Sequence, residues 1–277
     1  MQSINYPLAV GGGSTRIIEA GSGPAVLFAH GVGARADRWR GTVERIAELG
    51  YRAIAWDLPG HGFASKEADG PSNVPALAEH ALGIMDALKV SEAVLVGTSL
   101  GAHIVAYAAC RAPERVKALA LVGALGVVPI EQSVAETISR NVRVTRREQF
   151  SGKLNFVLHD PALVTETFIE EEWRMNSAPG AAEAFGRIGD YLTSAIAGDY
   201  VAAKCKALFA PDRLLLIWGA HDRAVPLAVG EACREALGGP ELVVISGANH
   251  CPYFEQPAAF DAALVPFLQH AFAERVR

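Results

Sequence analysis

Short apolar runs alternate along the chain with longer segments in which apolar residues recur at helical spacing. The runs are almost continuously apolar, as expected of parallel strands covered on both faces. They predict strands at 25–31, 51–57, 92–99, 116–123, 213–219 and 241–247. The segment 15–21, TRIIEAG, is interpreted as an antiparallel edge strand. Because strands alternate with helical segments, the pattern indicates βαβ units with right-handed crossovers.

The helical segments differ in how clearly they are placed. Two lie between strands: 36–49, and 75–88, whose start is assigned to Ser72 and Pro75. Between Pro129 and Lys206 the strand rhythm stops, and two further segments are typical of helices: 131–144 and 161–176. We therefore expect a helical cap, residues 129–206, over the carboxyl edge of a core formed by 1–128 and 207–277.

A serine stands between two glycines where a strand should become a helix. Gly97-Thr98-Ser99-Leu100-Gly101 has the pattern G-x-S-x-G, after the strand VLV and before an Ala-rich helix. On such a turn the serine is lifted clear of the sheet, and the helix N-terminus adds a favourable dipole. The alternative is a glycine-rich turn with a capping serine. The placement favours Ser99 as a nucleophile.

A serine nucleophile needs a base, a group that orients the base, and donors for an oxyanion. Asp222 follows the strand 213–219 and His250 follows 241–247, in the chain order Ser, acid, His. Asp222 is predicted to orient the imidazole of His250, the general base. The backbone N–H groups of Leu100 and Val32 are predicted to bind the oxyanion. Gly33 is the alternative to Val32.

Other histidines are assigned different roles. His30 precedes the predicted oxyanion loop and is expected to brace it by hydrogen bonding. His61, in DLPGHG, is interpreted as a turn residue. His103, four residues after Ser99, is a weaker candidate for the base. His221 is expected to point away from the site.

Composition narrows the possible ligands. The 277 residues are 51% hydrophobic with a net charge of −5, and no basic stripe occurs, so nucleic acid and anionic membranes are not expected partners. The four cysteines are scattered without metal-ligand spacing, and no G-x-x-x-x-G-K motif is present. We expect no metal and no cofactor.

The first residues lack a signal-peptide pattern, which favours a cytoplasmic protein.

Five motifs together resemble the α/β-hydrolase superfamily: HGVG (30–33), WDLPGHGFAS (56–65), GTSLGA (97–102), WGAHDRAVP (218–226) and GANHCPYFEQP (247–257). The resemblance implies a mostly parallel eight-stranded sheet with helices on both faces and a helical cap inserted between strands 6 and 7. It also implies the Ser-Asp-His triad and a structural role for Asp57. Haloalkane dehalogenases and epoxide hydrolases use aspartate where Ser99 stands.

The cap stretch 155–173 resembles meta-cleavage-product hydrolases, which split carbon–carbon bonds in ring-fission products of aromatic degradation. Three positions depart from that subfamily. Thr98 stands in place of an asparagine, Glu172 in place of a cap arginine, and Cys251-Pro252 in place of the tryptophan that follows the catalytic histidine. In the subfamily those residues recognise an acidic dienol substrate, so the departures favour a different substrate.

The first functional hypothesis is a serine hydrolase that cleaves a small, largely apolar carboxylic ester or lactone through an acyl-enzyme. The alternative is a carbon–carbon hydrolase of 2-hydroxy-6-oxo-dienoates, and a lower alternative is a non-catalytic small-ligand receptor on the same scaffold. The expected partner is a small-molecule ester, lactone or diketone, and a homodimer is possible by resemblance. Candidate substrate-binding residues are Trp39, Leu125, Phe156, Trp173, Val225 and Tyr253.

Overall fold

The computed structural model describes residues 1–273 and is built around one eight-stranded sheet with the order β1-β2-β4-β3-β5-β6-β7-β8. Its strands are β1 (Ile4–Val10), β2 (Gly13–Ala20), β3 (Ala25–Ala29), β4 (Arg52–Trp56), β5 (Ala93–Thr98), β6 (Val116–Val122), β7 (Leu214–Gly219) and β8 (Glu241–Ile245). From β4 to β8 all neighbouring pairs are parallel, while β2 runs antiparallel to both β1 and β4. The mostly parallel eight-stranded sheet is as predicted.

The edge of the sheet differs from the prediction. Residues 15–20 of the predicted segment 15–21 lie in β2, which is the second strand and not the edge strand, because β1 pairs along its outer side. β1 alternates between exposed and half-buried residues and contains Pro7. Proline is tolerated at an edge, where one side of the strand needs no partner. That sparse pattern carries little of the apolar signal that identifies the inner strands.

Eleven α-helices lie within residues 1–273: α1 (Arg40–Glu48), α2 (Val74–Ala87), α3 (Leu100–Arg111), α4 (Gln132–Val142), α5 (Phe150–Val157), α6 (Glu166–Asn176), α7 (Ala181–Ser194), α8 (Ala202–Leu208), α9 (Leu227–Ala236), α10 (Pro252–Glu255) and α11 (Pro257–Phe272). A 3-10 turn, Ala36–Trp39, precedes α1. The start of α2 differs from the prediction by one residue, since Asn73 and not Ser72 caps it, through a 2.9 Å bond from Ala76 N to Asn73 Oδ1.

The sheet is covered on both faces, as predicted. Buried residues of α2, α3 and α9 pack on one face, and buried residues of α1 and α11 pack on the other. The central strands β3, β5, β6 and β7 are almost entirely buried, which explains why their sequences are continuously apolar.

Helices α4 to α8 all fall between β6 and β7, where the sequence predicts an inserted cap. α4 packs against α7, and α5 against α6. The boundaries at 128/129 and 206/207 stay predictions. No helix in the described part of the chain is both long and apolar enough to cross a membrane.

Candidate active site

Ser99 occupies a strained position between β5 and α3. Its backbone has φ 55° and ψ −123°, a conformation that costs a non-glycine residue about 1–3 kcal/mol. Surrounding bonds hold it there: Ser99 N donates to Val122 O at 2.9 Å, and Ser99 O accepts from Ala102 N at 3.0 Å. The strain is therefore balanced by the sheet on one side and the helix on the other.

The two glycines of the motif permit this turn by their lack of side chains. A Cβ at Gly97 would lie 2.4 Å from the carbonyl oxygen of Gly101, and a Cβ at Gly101 would lie 2.4 Å from that of His30. Since both obstacles are backbone atoms, neither position can accept alanine without moving the chain. The close approach brings the start of α3 against the loop that follows β3.

Asp222 and His250 form a hydrogen-bonded pair at the ends of β7 and β8. His250 Nδ1 lies 2.8 Å from Asp222 Oδ2, while Asp222 Oδ1 accepts from Ala224 N at 2.9 Å and Val225 N at 2.8 Å. Both oxygens of the Asp222 carboxylate therefore accept hydrogen bonds. Its negative charge favours the tautomer of His250 in which Nδ1 carries the hydrogen. The Nε2 atom is then left as a proton acceptor.

Ser99 and His250 line the same cavity, which lies between the sheet edge and the cap and has a volume of about 70 Å³. Val32 lines it as well. Leu100 is the first residue of α3, where a backbone N–H has no partner within its own helix. The structure thus brings the three predicted triad residues and both predicted oxyanion donors to one place.

His30, His61 and Asp57 serve the loops around the site. His30 bonds to Gly31 O through Nδ1 at 2.8 Å and accepts from Leu58 N at 2.9 Å. His61 Nδ1 bonds within its turn, to Pro59 O at 3.0 Å. Asp57 accepts from Arg16, Ala36 and Phe63. Burial lowers the pKa of His30 and of His61, so both rings are neutral braces.

His103 faces away from Ser99. Its Nε2 lies 2.8 Å from Asp199 O, and burial lowers its pKa to about 4. A ring engaged with the cap backbone in this way does not serve Ser99 as a base.

The six candidate substrate-binding residues divide into two groups. Phe156 and Tyr253 line the cavity. The other four lie behind its surface: Trp39, Leu125, Trp173 and Val225. Trp39 stacks under Tyr253 with ring centroids 3.7 Å apart, Leu125 and Val225 are fully buried core residues, and Trp173 packs within the cap, donating to Thr145 O at 3.2 Å. Large apolar side chains near the site can thus be buried in the core without lining the cavity.

The cavity wall contains a group of charged residues that are not among the predicted site residues. Arg38, Lys153 and Glu172, here named the charge cluster, are all buried and all line the cavity. Arg38 Nη2 lies 3.2 Å from Glu172 Oε1. Burial alone would raise the pKa of Glu172, but the charges of Arg38, Arg35 and Lys153 lower it below its usual value. The carboxyl group is therefore ionised.

Burial lowers the pKa of Lys153 to about 8, with Glu172 opposing this shift and Arg38 adding to it. Nothing in the spacing of Arg38 or Lys153 marks either as buried, since most such residues are exposed. The only available signal was Glu172, an acidic residue where the subfamily pattern has a cation.

The charge cluster also touches the predicted oxyanion loop. Lys153 Nζ donates to Gly33 O at 3.3 Å, and Asn176 Nδ2 donates to the same oxygen at 3.2 Å. Two cap helices, α5 and α6, therefore fix the carbonyl that follows Val32. These two bonds help to hold the backbone of the loop in place.

The sequence model of the alpha/beta hydrolase fold matches residues 24–257. The chain belongs to the α/β-hydrolase family. It is 27% identical to the 2-hydroxymuconate semialdehyde hydrolase of Pseudomonas sp. (strain CF600) over 276 residues, 99% of this chain and 96% of that protein. The α/β-hydrolase fold and a cap similar to that of the meta-cleavage-product hydrolases are thereby confirmed.

Two solved structures extend the comparison. The meta-cleavage product hydrolase from Pseudomonas fluorescens IP01, complexed with acetates, has a TM-score of 0.86 and 26% identity, covering 97% of this chain and 98% of that one. A membrane phospholipase A, described as a bacterial virulence factor, has a TM-score of 0.83 and 28% identity, covering 97% and 86%. The chain is thus similar along its whole length to hydrolases of two kinds of bond.

Proposed function

We propose that this α/β hydrolase cleaves a carbon–carbon bond next to a ketone in a 2-hydroxy-6-oxo-dienoate, a ring-fission product. The observation that carries the proposal is the full-length similarity to a 2-hydroxymuconate semialdehyde hydrolase, which includes the cap. The charge cluster adds support, because a cationic wall suits an acidic substrate better than an apolar ester. This choice reverses the order of the two sequence-based hypotheses.

The proposed reaction uses Ser99, His250 and Asp222 as nucleophile, base and orienting acid. A proton shift first converts the dienol to its keto form, which makes the carbon chain an electron sink. Ser99 Oγ then adds to the reacting ketone, its proton passes to His250 Nε2, and the backbone N–H groups of Val32 and Leu100 stabilise the oxyanion.

The carbon–carbon bond then breaks. Its electron pair moves into the sink as an enolate, which takes the proton back from His250. Water activated by His250 adds to the acyl-serine and releases a carboxylic acid, restoring Ser99. One water molecule is consumed, and an acid and a shorter dienol acid are formed.

The second candidate is ester hydrolysis by the same residues. It is favoured by the similarity to the phospholipase and by the absence of the subfamily's usual residues at Thr98, Glu172 and Cys251. In this case the alkoxide of the ester leaves with the proton from His250, and no proton shift in the substrate is needed.

The test is turnover of 2-hydroxy-6-oxo-2,4-heptadienoate, followed by the loss of its yellow colour, beside turnover of p-nitrophenyl butyrate. We expect the dienoate to be consumed by the unmodified protein and by Ser91→Ala, a change at an exposed serine, but not by Ser99→Ala. Cleavage of the butyrate alone would support the ester candidate. Cleavage of neither would reject both and favour a receptor.

A further inference from the structure

The cap side of the cavity holds more positive charge than negative charge. Arg38 is 6% exposed, Lys153 9% and Glu172 1%. Buried cations are stabilised by a counter-charge within contact distance, because burial removes most of their hydration. Glu172 supplies one negative charge for these two cations.

A third cation, Arg35, does not depend on that carboxylate alone. It bonds to Glu172 Oε1 at 2.8 Å, but also to Asp37 Oδ2 at 2.9 Å and to Glu171 Oε2 at 2.5 Å. Glu171, together with Asp37, which also pairs with Arg16 and Arg40, therefore offsets the charge of Arg35. The wall of the cavity keeps two cations against one carboxylate.

The two cations also have donors to spare. The Nε of Arg38 is buried and has no hydrogen-bond partner among residues 1–273. Lys153 has three donors, and one of them reaches an acceptor in this part of the chain, Gly33 O. The N–H groups of Arg38 and Lys153 without an acceptor therefore belong to side chains that line the cavity.

This wall is close to the reacting serine. A Cβ placed on Gly31 would lie 3.0 Å from Ser99 Cβ, and Gly33 is the residue that Lys153 contacts. Only Val32 separates Gly31 from Gly33, so their Cα atoms are at most about 7 Å apart. A small molecule with its ketone at Ser99 can therefore place a group several bonds away against Lys153.

We propose that Lys153 and Arg38 form an anion subsite that binds the carboxylate of the substrate, with Glu172 positioning Arg38. The proposal rests on the proposed function for the identity of the substrate. It assigns recognition of the carboxylate to Lys153 and Arg38. The meta-cleavage-product hydrolases instead have an arginine at the position of Glu172. Glu172 is then a partner of the subsite and not an obstacle to an acidic substrate.

A purely structural role for Lys153, holding Gly33 O in place, predicts something different. Loss of the lysine would then weaken the binding of neutral and acidic ligands alike, because both depend on the shape of the loop. Loss of an anion subsite weakens the binding of the acid only. A matched acid and amide separate the two roles.

The experiment uses 2,4-hexadienoate and its neutral amide, 2,4-hexadienamide, which lack the reacting ketone and cannot be turned over. Calorimetry gives the Kd of each for the unmodified protein, for Lys153→Met and for Lys206→Met, a change at an exposed lysine outside the cavity. We expect Lys153→Met to weaken the acid by about 10- to 100-fold and the amide by less than about 3-fold. Lys206→Met should leave both unchanged.

A pH series on the unmodified protein tests the subsite even if Lys153→Met fails to fold. Because the pKa of Lys153 is about 8, the Kd of the acid should rise above that pH while the Kd of the amide stays constant. The charged groups that face Lys153 are Glu172, from α6, and Arg38, from the turn before α1. His61 lies near them and is neutral above pH 7.

Each outcome decides one question. Equal weakening of acid and amide, or no preference for the acid in the unmodified protein, would overturn the subsite. A Lys153-dependent preference without dienoate turnover would support the subsite and reject carbon–carbon hydrolysis. Dienoate turnover without any preference for the acid would support carbon–carbon hydrolysis and overturn the subsite.

Discussion

The sheet side and the cap side of the cavity are held in place by different forces. On the sheet side, Ser99, Asp222 and His250 follow the ends of β5, β7 and β8, and backbone hydrogen bonds fix their positions. On the cap side, Lys153 and Glu172 meet Arg38, from the turn before α1, through charge and side-chain hydrogen bonds. The bonds of the sheet side are thus complete within the protein, whereas the cap side has unused donors that a ligand can bind.

Hydrogen bonds between the two sides couple the cap to the predicted chemistry. His250 N donates to Val157 O at 3.1 Å, and Asn249 Nδ2 donates to Phe156 O at 3.0 Å. Together with the contacts to Gly33 O, these bonds connect α5 and α6 to the histidine loop and the predicted oxyanion loop. Changes in these contacts should therefore affect both ligand binding and the positions of the predicted triad residues.

The largest effect is expected from Asp222→Asn on the sheet side. The amide cannot favour the required tautomer of His250, so kcat should fall by about 10⁴-fold while the fold is kept. Steady-state kinetics on the preferred substrate measure the loss. Asp57→Asn is the contrasting change at a buried carboxylate paired with Arg16: it should lower the free energy of unfolding and spare kcat. Similar losses of kcat in both variants would contradict the assignment.

The next effect concerns the cap side. Glu172→Arg places a cation among Arg35, Arg38 and Lys153, so it should lower the free energy of unfolding by about 3–5 kcal/mol. Glu183→Arg is the control, at an exposed glutamate of α7 with no ion pair within residues 1–273, and should cost less than about 1 kcal/mol. Urea denaturation of both compares them directly. A tolerated Glu172→Arg would show that the charge cluster is not balanced as described.

The smallest effect probes the contact between the two sides. Asn176→Ala removes one of two donors to Gly33 O and should cost about 1 kcal/mol of stability. A fall of a few-fold in kcat should accompany it, since the loop loses one support. Asn155→Ala, which removes a bond within α5, should leave kcat unchanged. Equal kinetic effects would mean that the contact with Gly33 does not matter.

The difference between the two sides also explains what could be predicted from the sequence. Ser99, Asp222 and His250 each follow an apolar run, so strand periodicity and chain order are enough to locate them. β1 was missed because its half-exposed alternation and Pro7 give a weak signal. Arg38 and Lys153 were missed because their burial depends on contacts between distant parts of the chain.

The aromatic candidates failed for a related reason. Phe156 and Tyr253 line the cavity, but Trp39 lies one layer deeper, stacked on Tyr253. A sequence gives the apolar character of such residues but not their depth. Depth follows from packing between the sheet, α10 and the turn before α1, which no local pattern encodes.

The central claim is that this hydrolase cuts a carbon–carbon bond. It is tested most directly by incubating the protein with 2-hydroxy-6-oxo-2,4-heptadienoate and identifying the products by NMR. The account predicts acetate and 2-hydroxypenta-2,4-dienoate in equal amounts, and neither product with Ser99→Ala. An intact dienoate in the presence of protein that cleaves p-nitrophenyl butyrate would contradict it.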